Sequence, residues 1–246
     1  MHHTRNLMEV LYIVMPAYNE EANIEGTIKE WYPILEGKSD KSRLVVADSG
    51  SCDKTHEILE HLKETCPKLI VLSDTKKEHG PKVVALYHFA IQSGADYVFQ
   101  TDSDGQTNPR EFPAFWKLRK KKDAVIGVRT VRGDGFSRKI IEDVLCFILR
   151  IYFGVHVRDA NAPYRLMTAE IIKKYIHRIP EDYNLPNVML TTYFSYYKNN
   201  IKYREITFQA RRGGKNSINL KKIVKIGWWS LRDFYNFKKN MKRTED

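Results

Sequence analysis

The sequence has few cysteines and no long apolar run, and each shortage removes a class of protein. Its 246 residues include three cysteines, Cys52, Cys66 and Cys146, an odd number without the spacing of a metal site. This favours a reducing compartment over a disulfide framework. The most hydrophobic segment, 144–157, contains Arg150 and is shorter than the roughly 20 residues that a membrane-spanning helix needs. We therefore expect a chain that does not cross a bilayer unaided.

Signals that would export or divide the chain are also missing. Residues 1–9 are polar and lack the apolar core of a secretory signal, so we expect no export. There is no repeat at solenoid periods and no low-complexity linker. With 42% hydrophobic residues the chain can bury a full core. A single compact α/β domain is the expected organisation.

Positive charge is abundant. Lysine and arginine number 41 against 30 acidic residues, which gives a formal net charge of +11. Such a balance favours anionic partners, whether nucleotide phosphates, acidic lipids or nucleic acid. It does not choose among them.

An apolar run from Tyr97 ends in two carboxylates, Asp102 and Asp104, followed by Gln106. Residues two apart in an extended segment point the same way, so the two carboxylates can share a ligand beyond the strand end. That arrangement suits Mg²⁺, which takes one or two carboxylates and leaves its other positions to water and phosphate. Gln106 could add an amide oxygen. The alternative is that the pair caps a turn or the following helix.

Buried strands are predicted at 10–15, 44–47, 69–72, 97–101 and 124–129, alternating with helices. This pattern predicts a mostly parallel sheet, with Asp48 and the Asp102–Asp104 pair at one edge. There Asp48 could accept hydrogen bonds from a base or ribose. Pro16 is expected to end the first strand and Asn19 to cap the next helix, while the ring of Tyr18 could stack on a base.

Three cationic features remain. Lys82 lies in the first turn of a predicted helix, where a cation suggests a nearby anion, although a solvated lysine is equally acceptable. Arg165 suits phosphate contact, or else a surface ion pair with Asp159. Segment 211–217 combines three cations with two glycines, which fits either a pyrophosphate site or a simple basic loop.

Two further helices have apolar faces. Residues 144–153 are apolar almost all round and are expected to be buried or to lie against lipid. Residues 218–246 form a predicted basic amphipathic helix, packed on the domain or at a membrane surface. A strand is expected at 201–208.

Taken in chain order, five motifs resemble those of the family 2 inverting glycosyltransferases of the GT-A type. They occupy 16–20, 48–53, 80–82, 102–104 and 211–217. The resemblance implies a Rossmann-like sheet flanked by helices, a catalytic domain over 1–217, and inversion at the anomeric carbon. It also implies that Asp48 contacts the nucleotide base and that Asp102 and Asp104 hold Mg²⁺ or Mn²⁺ on the diphosphate.

Within that family the motifs look most like those of the polyprenyl-phosphate (dolichyl-phosphate) sugar synthases. The Asp102-x-Asp104-x-Gln106 spacing is similar to their metal site. Segment 159–165 resembles their Ser-Gly-Phe-Arg segment, but Ala162, Pro163 and Tyr164 depart from it. Segment 211–217 resembles their Arg-x-x-Gly-x-Ser loop, but it has one extra residue before the serine. These departures concern the acceptor more than the donor.

The motifs and their chemistry together assign four sets of residues. The predicted catalytic residues are Asp102, Asp104, Arg211 and Arg212. The predicted nucleotide-sugar-binding residues are Pro16, Tyr18, Glu20, Asp48, Lys82, Asp102, Arg129, Arg211 and Lys215. The predicted acceptor-binding residues are Arg132, Arg165 and Ser217. The predicted metal ligands are Asp102, Asp104 and Gln106.

The predicted reaction moves a sugar from a nucleotide-sugar to a polyprenyl phosphate, on a cytoplasmic enzyme peripheral to the cytosolic face of a membrane. A phosphate acceptor is already anionic and needs no base, whereas a hydroxyl acceptor needs one. Glu181 and Asp182 are the best base candidates of the second half. The alternatives are a hydroxyl-acceptor transferase of surface polysaccharide synthesis and a non-catalytic nucleotide- or nucleic-acid-binding module. No nucleic-acid partner is expected, because aromatics do not interleave with the lysines.

Overall fold

One seven-stranded mixed sheet organises the chain, as seen in a computed structural model that describes residues 8–132, 136–211, 213 and 231–241. Within these ranges, the description of 131, 132, 136 and 137 covers the backbone only. The strands are β1 (Leu11–Ala17), β2 (Arg43–Asp48), β3 (Leu69–Leu72), β4 (Tyr97–Thr101), β5 (Ala124–Arg132), β6 (Tyr164–Thr168) and β7 (Ile201–Phe208). The α-helices are α1 (Ile24–Trp31), α2 (Thr55–Thr65), α3 (His79–Gln92), α4 (Phe112–Trp116), α5 (Phe136–Phe153), α6 (Ala169–Ile176), α7 (Pro186–Tyr196) and α8 (231–241).

The strand order is β3-β2-β1-β4-β6-β5-β7, and every pairing is parallel except those of β6. Helices lie on both faces. One core packs α3, α5, α6 and α7 against the sheet, and a second core packs α1, α2 and α4 against the other face. The carboxyl ends of β1, β2 and β4 therefore meet at one edge, as the alternating pattern predicts.

The expectation that Pro16 ends β1 was wrong. The strand continues through Ala17, which pairs with Asp48 of β2. On its other side the ladder with β4 stops at Val14. Pro16 therefore lies beyond the β4 pairing, where its missing N–H group is tolerated. Its carbonyl instead accepts a hydrogen bond from the Ser103 hydroxyl at 2.8 Å.

Strand β6 was not predicted, because its sequence carries an arginine in the middle of the sheet. Arg165 is fully buried. Its guanidinium donates to the carbonyls of Ala160, Ala162 and Asn187 and to the Thr191 hydroxyl, at 2.9–3.2 Å. Neutral oxygens thus replace water around the charge. The expected surface ion pair with Asp159 is therefore wrong, whereas the predicted acceptor contact of Arg165 stays a prediction.

Helix α5 is buried along one side and exposed along the other. Ile140, Val144, Phe147 and Ile151 are 47–64% exposed and repeat at helical spacing. We call them the α5 stripe. Leu149 and Phe153 of the same helix are buried. Among the described residues, no helix combines the length and apolar character needed to cross a membrane.

Helix α8 packs on the domain. Phe234, Phe237 and Met241 are buried, with the Phe234 ring 5.7 Å from that of Phe153 and the Phe237 ring 5.1 Å from that of Tyr183. The predicted C-terminal helix is therefore present over 231–241. Residues 218–230 and 242–246 of the prediction lie outside the described residues.

Candidate active site

A cavity of about 540 Å³ opens at the carboxyl ends of β1 and β4. Nine of the predicted site residues line it: Pro16, Tyr18, Glu20, Lys82, Asp102, Asp104, Gln106, Arg129 and Arg211. Asp48 and Arg165 do not. Arg212, Lys215, Ser217 and the side chain of Arg132 lie outside the described residues, so their assignments stay predictions. The topology thus gathers residues from distant parts of the sequence into one cavity.

The loop after β4 holds the two carboxylates in a fixed turn. Ser103 is tied to β1 through Pro16, and Gly105 takes a left-handed conformation with φ 73°. The Asp104 carboxylate accepts from the Gln106 backbone at 3.2 Å. Gln106 itself exchanges backbone and side-chain hydrogen bonds with Gln209, at 2.8 and 2.7 Å. The carboxylate loop is therefore fastened to β1 on one side and to the end of β7 on the other.

The charges of this loop fit a divalent cation. Burial and the nearby charge of Asp102 raise the pKa of Asp104 to about 7, so two ionised carboxylates repel each other here until a cation joins them. Asp102, Asp104 and Gln106 line the cavity with carboxylate and amide groups, whose oxygens can bind a metal ion. No larger cluster of histidine, cysteine and acidic side chains for a metal exists among the described residues. Two carboxylates with an amide suit Mg²⁺ or Mn²⁺ that also binds phosphate.

A second charged group faces the same space. Arg211 donates to the carboxylate of Glu20 and, through Nε, to the Gly213 carbonyl at 2.8 Å. Asn23 donates to both Glu20 and Gly213. Burial raises the pKa of Glu20, against the lowering effects of Asn23 and Arg211. This network fixes the chain after β7 over the cavity and delivers a guanidinium to its wall.

Lys82 is neither solvated nor free to swing. It is 1% exposed and donates to the carbonyls of Ala17 and Ser49, joining the ends of β1 and β2. Burial lowers the pKa of this ammonium to about 8. The ammonium groups of Lys77 and Lys82 lie 4.9 and 5.3 Å from the centre of the Tyr18 ring. Base stacking on Tyr18 stays a prediction, in a site where cations already contact the ring.

Two polar side chains near this edge differ from expectation. Asn19 does not cap α1, which begins at Ile24; it adopts φ 54° and accepts from the Cys52 backbone at 2.8 Å. Asp48 is buried and does not line the cavity; its carboxylate accepts from Ser51 and contacts His56 at 3.3 Å. Asn19 thus joins the two loops of this edge, and the base-binding role of Asp48 stays a prediction.

Arg129 lines the cavity but is held by two buried acids. It forms a paired contact with Asp159, at 2.7 and 2.8 Å, and a 3.2 Å contact with Glu142. Asp159 therefore pairs with Arg129 and not with Arg165. Burial and the charge of Asp159 raise the pKa of Glu142. This triad fastens α5 and the segment before β6 to β5, and the donor contact predicted for Arg129 stays a prediction.

Sequence reasoning missed much of the opposite wall. Asn161 and Pro163 precede β6, and residues 184–187 span the start of α7. His79, at the start of α3, places Nε2 at 3.3 Å from Oδ1 of Asp102. The signals were the Asn-Leu-Pro helix start and the histidine beside Gly80-Pro81. In the sequence alone, neither signal indicates a chemical role, because the proximity to the carboxylates arises only in the fold.

Gly80 is the position where this wall meets α3. A Cβ there would lie 2.3 Å from the Tyr183 carbonyl oxygen, so alanine must displace α3 or the 183–187 segment. We expect Gly80→Ala to destabilise the protein by about 1–3 kcal/mol and to reduce its activity. Thermal unfolding and turnover measure both effects.

The matched control is Gly26→Ala, since nothing lies within 4 Å of a Cβ on that exposed helical glycine. It should stabilise α1 by about 0.8–1 kcal/mol. Equal effects of the two substitutions would show that close packing at Gly80 is unimportant.

Comparison with known proteins matches residues 12–176 to the family model described as glycosyl transferase family 2. An undecaprenyl-phosphate mannosyltransferase of Micrococcus luteus is 28% identical over 172 residues, covering 68% of this chain and 69% of the relative. A dolichyl-phosphate beta-glucosyltransferase of Trichomonas vaginalis is 24% identical over 177 residues, covering 66% and 52%. An undecaprenyl-phosphate 4-deoxy-4-formamido-L-arabinose transferase of Edwardsiella ictaluri is 23% identical over 176 residues, covering 69% and 52%. The chain thus spans about half the length of the last two relatives.

The fold has solved counterparts. Glucosyl-3-phosphoglycerate synthase of Mycobacterium tuberculosis, in complex with phosphoglyceric acid, superposes with a TM-score of 0.69 at 19% identity, covering 94% of this chain and 80% of that one. The same enzyme with Mn²⁺, UDP-glucose and phosphoglyceric acid gives a TM-score of 0.68 at 19% identity, covering 94% and 80%. The predicted fold, a mostly parallel sheet flanked by helices, is confirmed.

Proposed function

The chain belongs to glycosyl transferase family 2, and we propose that it transfers a sugar from a nucleotide-sugar to a polyprenyl phosphate with inversion at the anomeric carbon. The observation that carries the proposal is the composition of the cavity. Paired carboxylates and a guanidinium face one space, and the acidic residues among its described lining are Glu20, Glu78, Asp102 and Asp104. The polyprenyl-phosphate transferases among its relatives support the same acceptor class.

The donor side of the reaction must stabilise a departing nucleoside diphosphate. Asp102, Asp104 and Gln106 would hold Mg²⁺ or Mn²⁺, which supplies positive charge to the diphosphate oxygens when bound. Arg211, which also lines the cavity, adds a second cation. Its contacts with Glu20 and Gly213 orient the guanidinium before the donor arrives, so little reorganisation is needed as charge develops.

Among the residues that the structure describes, none from the second half of the chain contributes a carboxylate to the cavity. Glu181 and Asp182 are exposed and do not line the cavity. The acidic residues on the described wall all come from the first half of the chain. Asp102 and Asp104 lie beside each other, Glu20 is bound by Arg211, and Glu78 immediately precedes α3. A phosphate monoester needs no base, because its second pKa is near 6 and it is anionic at neutral pH. The cavity therefore fits a phosphate nucleophile better than a hydroxyl.

Incubation with labelled nucleotide-sugars, Mn²⁺ and either polyprenyl phosphate or saccharide acceptors tests the proposal. We expect a labelled lipid product that requires the metal. Product formed only on saccharide acceptors would instead support the hydroxyl-acceptor alternative. Nucleotide binding that is unchanged by chelation, without turnover, would support the non-catalytic binding module.

Replacing Glu181 and Asp182 with alanine provides a second test of the acceptor class. Because neither residue lines the cavity, we expect each variant to retain transfer to polyprenyl phosphate within about threefold, whereas loss of a general base costs about 10²–10⁴-fold. Initial rates at saturating donor measure this. A loss of a hundredfold or more in the folded Asp182→Ala variant would contradict a base-free reaction.

We also propose that the enzyme meets its lipid substrate as a peripheral protein at the cytosolic face of a membrane, through the α5 stripe. Four of the chain's exposed large hydrophobic side chains lie on this single helix face. The exposed cation Arg150 lies beside them, and the exposed Lys239 lies on the neighbouring α8. An apolar stripe with flanking cations is the pattern of a helix lying in an anionic bilayer surface.

Phe147→Glu should weaken binding to vesicles that contain phosphatidylserine by about 10- to 100-fold, the loss expected when one large buried side chain is removed from lipid. Co-sedimentation measures the partition. Gln92→Glu, an equal charge change at an exposed position of α3, is the control and should bind as the original protein does. Equal weakening by both would assign binding to net charge alone.

A further inference from the structure

A buried chain of polar side chains links the wall of α7 to the predicted metal ligand. The hydroxyl of Tyr87 donates to Oδ1 of Asn187 at 2.8 Å, and Nδ2 of Asn187 donates to Oε1 of Gln100 at 3.0 Å. Nε2 of Gln100 then donates to Oδ1 of Asp102 at 3.3 Å. Tyr87, Asn187 and Gln100 are at most 2% exposed. We call these four residues the amide relay.

The relay has only one satisfactory polarity. An ionised Asp102 can only accept, so Gln100 must present its NH₂ group to it. The Gln100 oxygen then needs a donor, which is the NH₂ group of Asn187. The oxygen left on Asn187 requires the Tyr87 hydroxyl as its donor, and burial raises the pKa of Tyr87 so that the proton stays in place. Each buried amide is thus held in one orientation by its neighbours.

Asn187 is itself held by the fold at a functional place. It lies in the first turn of α7 and lines the cavity together with Leu185 and Pro186. Its carbonyl accepts from Arg165 at 3.1 Å and from Thr191 at 2.8 Å. The buried arginine therefore fixes the start of α7, and the amide relay carries that position to Asp102.

We propose that Asn187 and Gln100 are positioning residues that orient Asp102 for its divalent cation and so couple the α7 wall to the metal. The inference rests on the proposed function only in assigning the cation to Asp102. Neither side chain is required to touch the cation. Residues that hydrogen-bond a metal ligand from behind fix its direction, and their loss typically weakens metal binding by about 10- to 100-fold.

Asn187→Asp is the decisive substitution. The new carboxylate still accepts from the Tyr87 hydroxyl but cannot donate to Gln100. The Gln100 amide should then turn, placing its oxygen against Asp102 and removing one of the two contacts to Oδ1, the other being that of His79 Nε2. We expect the dissociation constant for Mn²⁺, measured by electron paramagnetic resonance on the full chain, to rise about 10- to 100-fold. The matched control is Thr192→Val, which removes a buried hydrogen bond to Val188 on the same helix without touching the relay and should leave Mn²⁺ binding unchanged.

A double substitution separates the relay from general damage. Gln100→Leu should weaken Mn²⁺ binding, and adding Asn187→Asp to it should cause no further loss, because the signal from Asn187 passes through Gln100. Additive losses, or unaltered Mn²⁺ binding in a folded Asn187→Asp variant, would overturn the proposal. If that variant does not fold, Tyr87→Phe decides: a smaller loss in the same direction supports the relay, and no change contradicts it. Because the titration uses Mn²⁺ without donor or acceptor, failure of the proposed transfer reaction leaves this test intact.

Discussion

Asp104→Asn is expected to abolish sugar transfer while making the metal-free protein more stable. Activity should fall by about a thousandfold or more, because one of two carboxylates on a cation worth several kcal/mol to the leaving group is lost. Stability should rise because burial and the charge of Asp102 disfavour the ionised Asp104 carboxylate. Opposite signs of the two effects are typical of a functional site whose geometry is maintained at a cost in stability.

Turnover with Mn²⁺ measures the first effect, and thermal unfolding in the presence of a chelator measures the second. A rise of about 2–4 °C corresponds to roughly 1 kcal/mol in a chain of this size. Asp74→Asn, at an exposed position in the turn after β3, removes the same charge and should change neither quantity. An Asp104→Asn variant that is inactive and also less stable without metal would assign Asp104 a structural role.

The edge of the sheet formed by the carboxyl ends of β1, β2 and β4 could be predicted because its signals are local. Short apolar runs ending in Asp48 and Asp102 indicate buried strands, and the helices between them require parallel crossovers. Parallel strands carry their carboxyl ends to a common edge, so the meeting of distant motifs follows from chain direction. The cavity beside Asp102 and Asp104 confirms this inference from topology.

The two buried cations could not be predicted in the same way, because their burial depends on backbone carbonyls that only the folded chain brings together. Arg165 looks solvent-seeking by composition, and its burial depends on carbonyls supplied by Ala160, Ala162 and Asn187. Lys82 likewise depends on the carbonyls of Ala17 and Ser49. A buried cation satisfied by neutral oxygens leaves no periodic pattern in the sequence. From the sequence, both residues suggested ligand contacts or surface groups, and neither their burial nor their carbonyl partners could be predicted.

Arg211→Ala should reduce both activity and stability, and a second substitution should separate the two losses. Removing the guanidinium takes a cation from the leaving group, for which we expect about a 100- to 1,000-fold loss of turnover. It also leaves the buried carboxylate of Glu20 without its cationic partner. Breaking a buried ion pair lowers the free energy of unfolding by roughly 3–5 kcal/mol, and we expect the lower end of that range for this partly solvated pair. Turnover and denaturant unfolding measure the two losses.

Adding Glu20→Gln to Arg211→Ala removes the stranded charge, so stability should recover while turnover stays low. Glu20→Gln alone keeps the cation over the cavity and should retain more activity than either variant that lacks Arg211. Recovery of both stability and turnover in the double variant would mean that Arg211 serves only to neutralise Glu20. Glu20 and Gly213 hold the guanidinium before the donor binds, so it can contact the diphosphate without first being ordered. Preorganised charge of this kind stabilises a leaving group more than a mobile side chain does, because the energy of orientation is spent during folding.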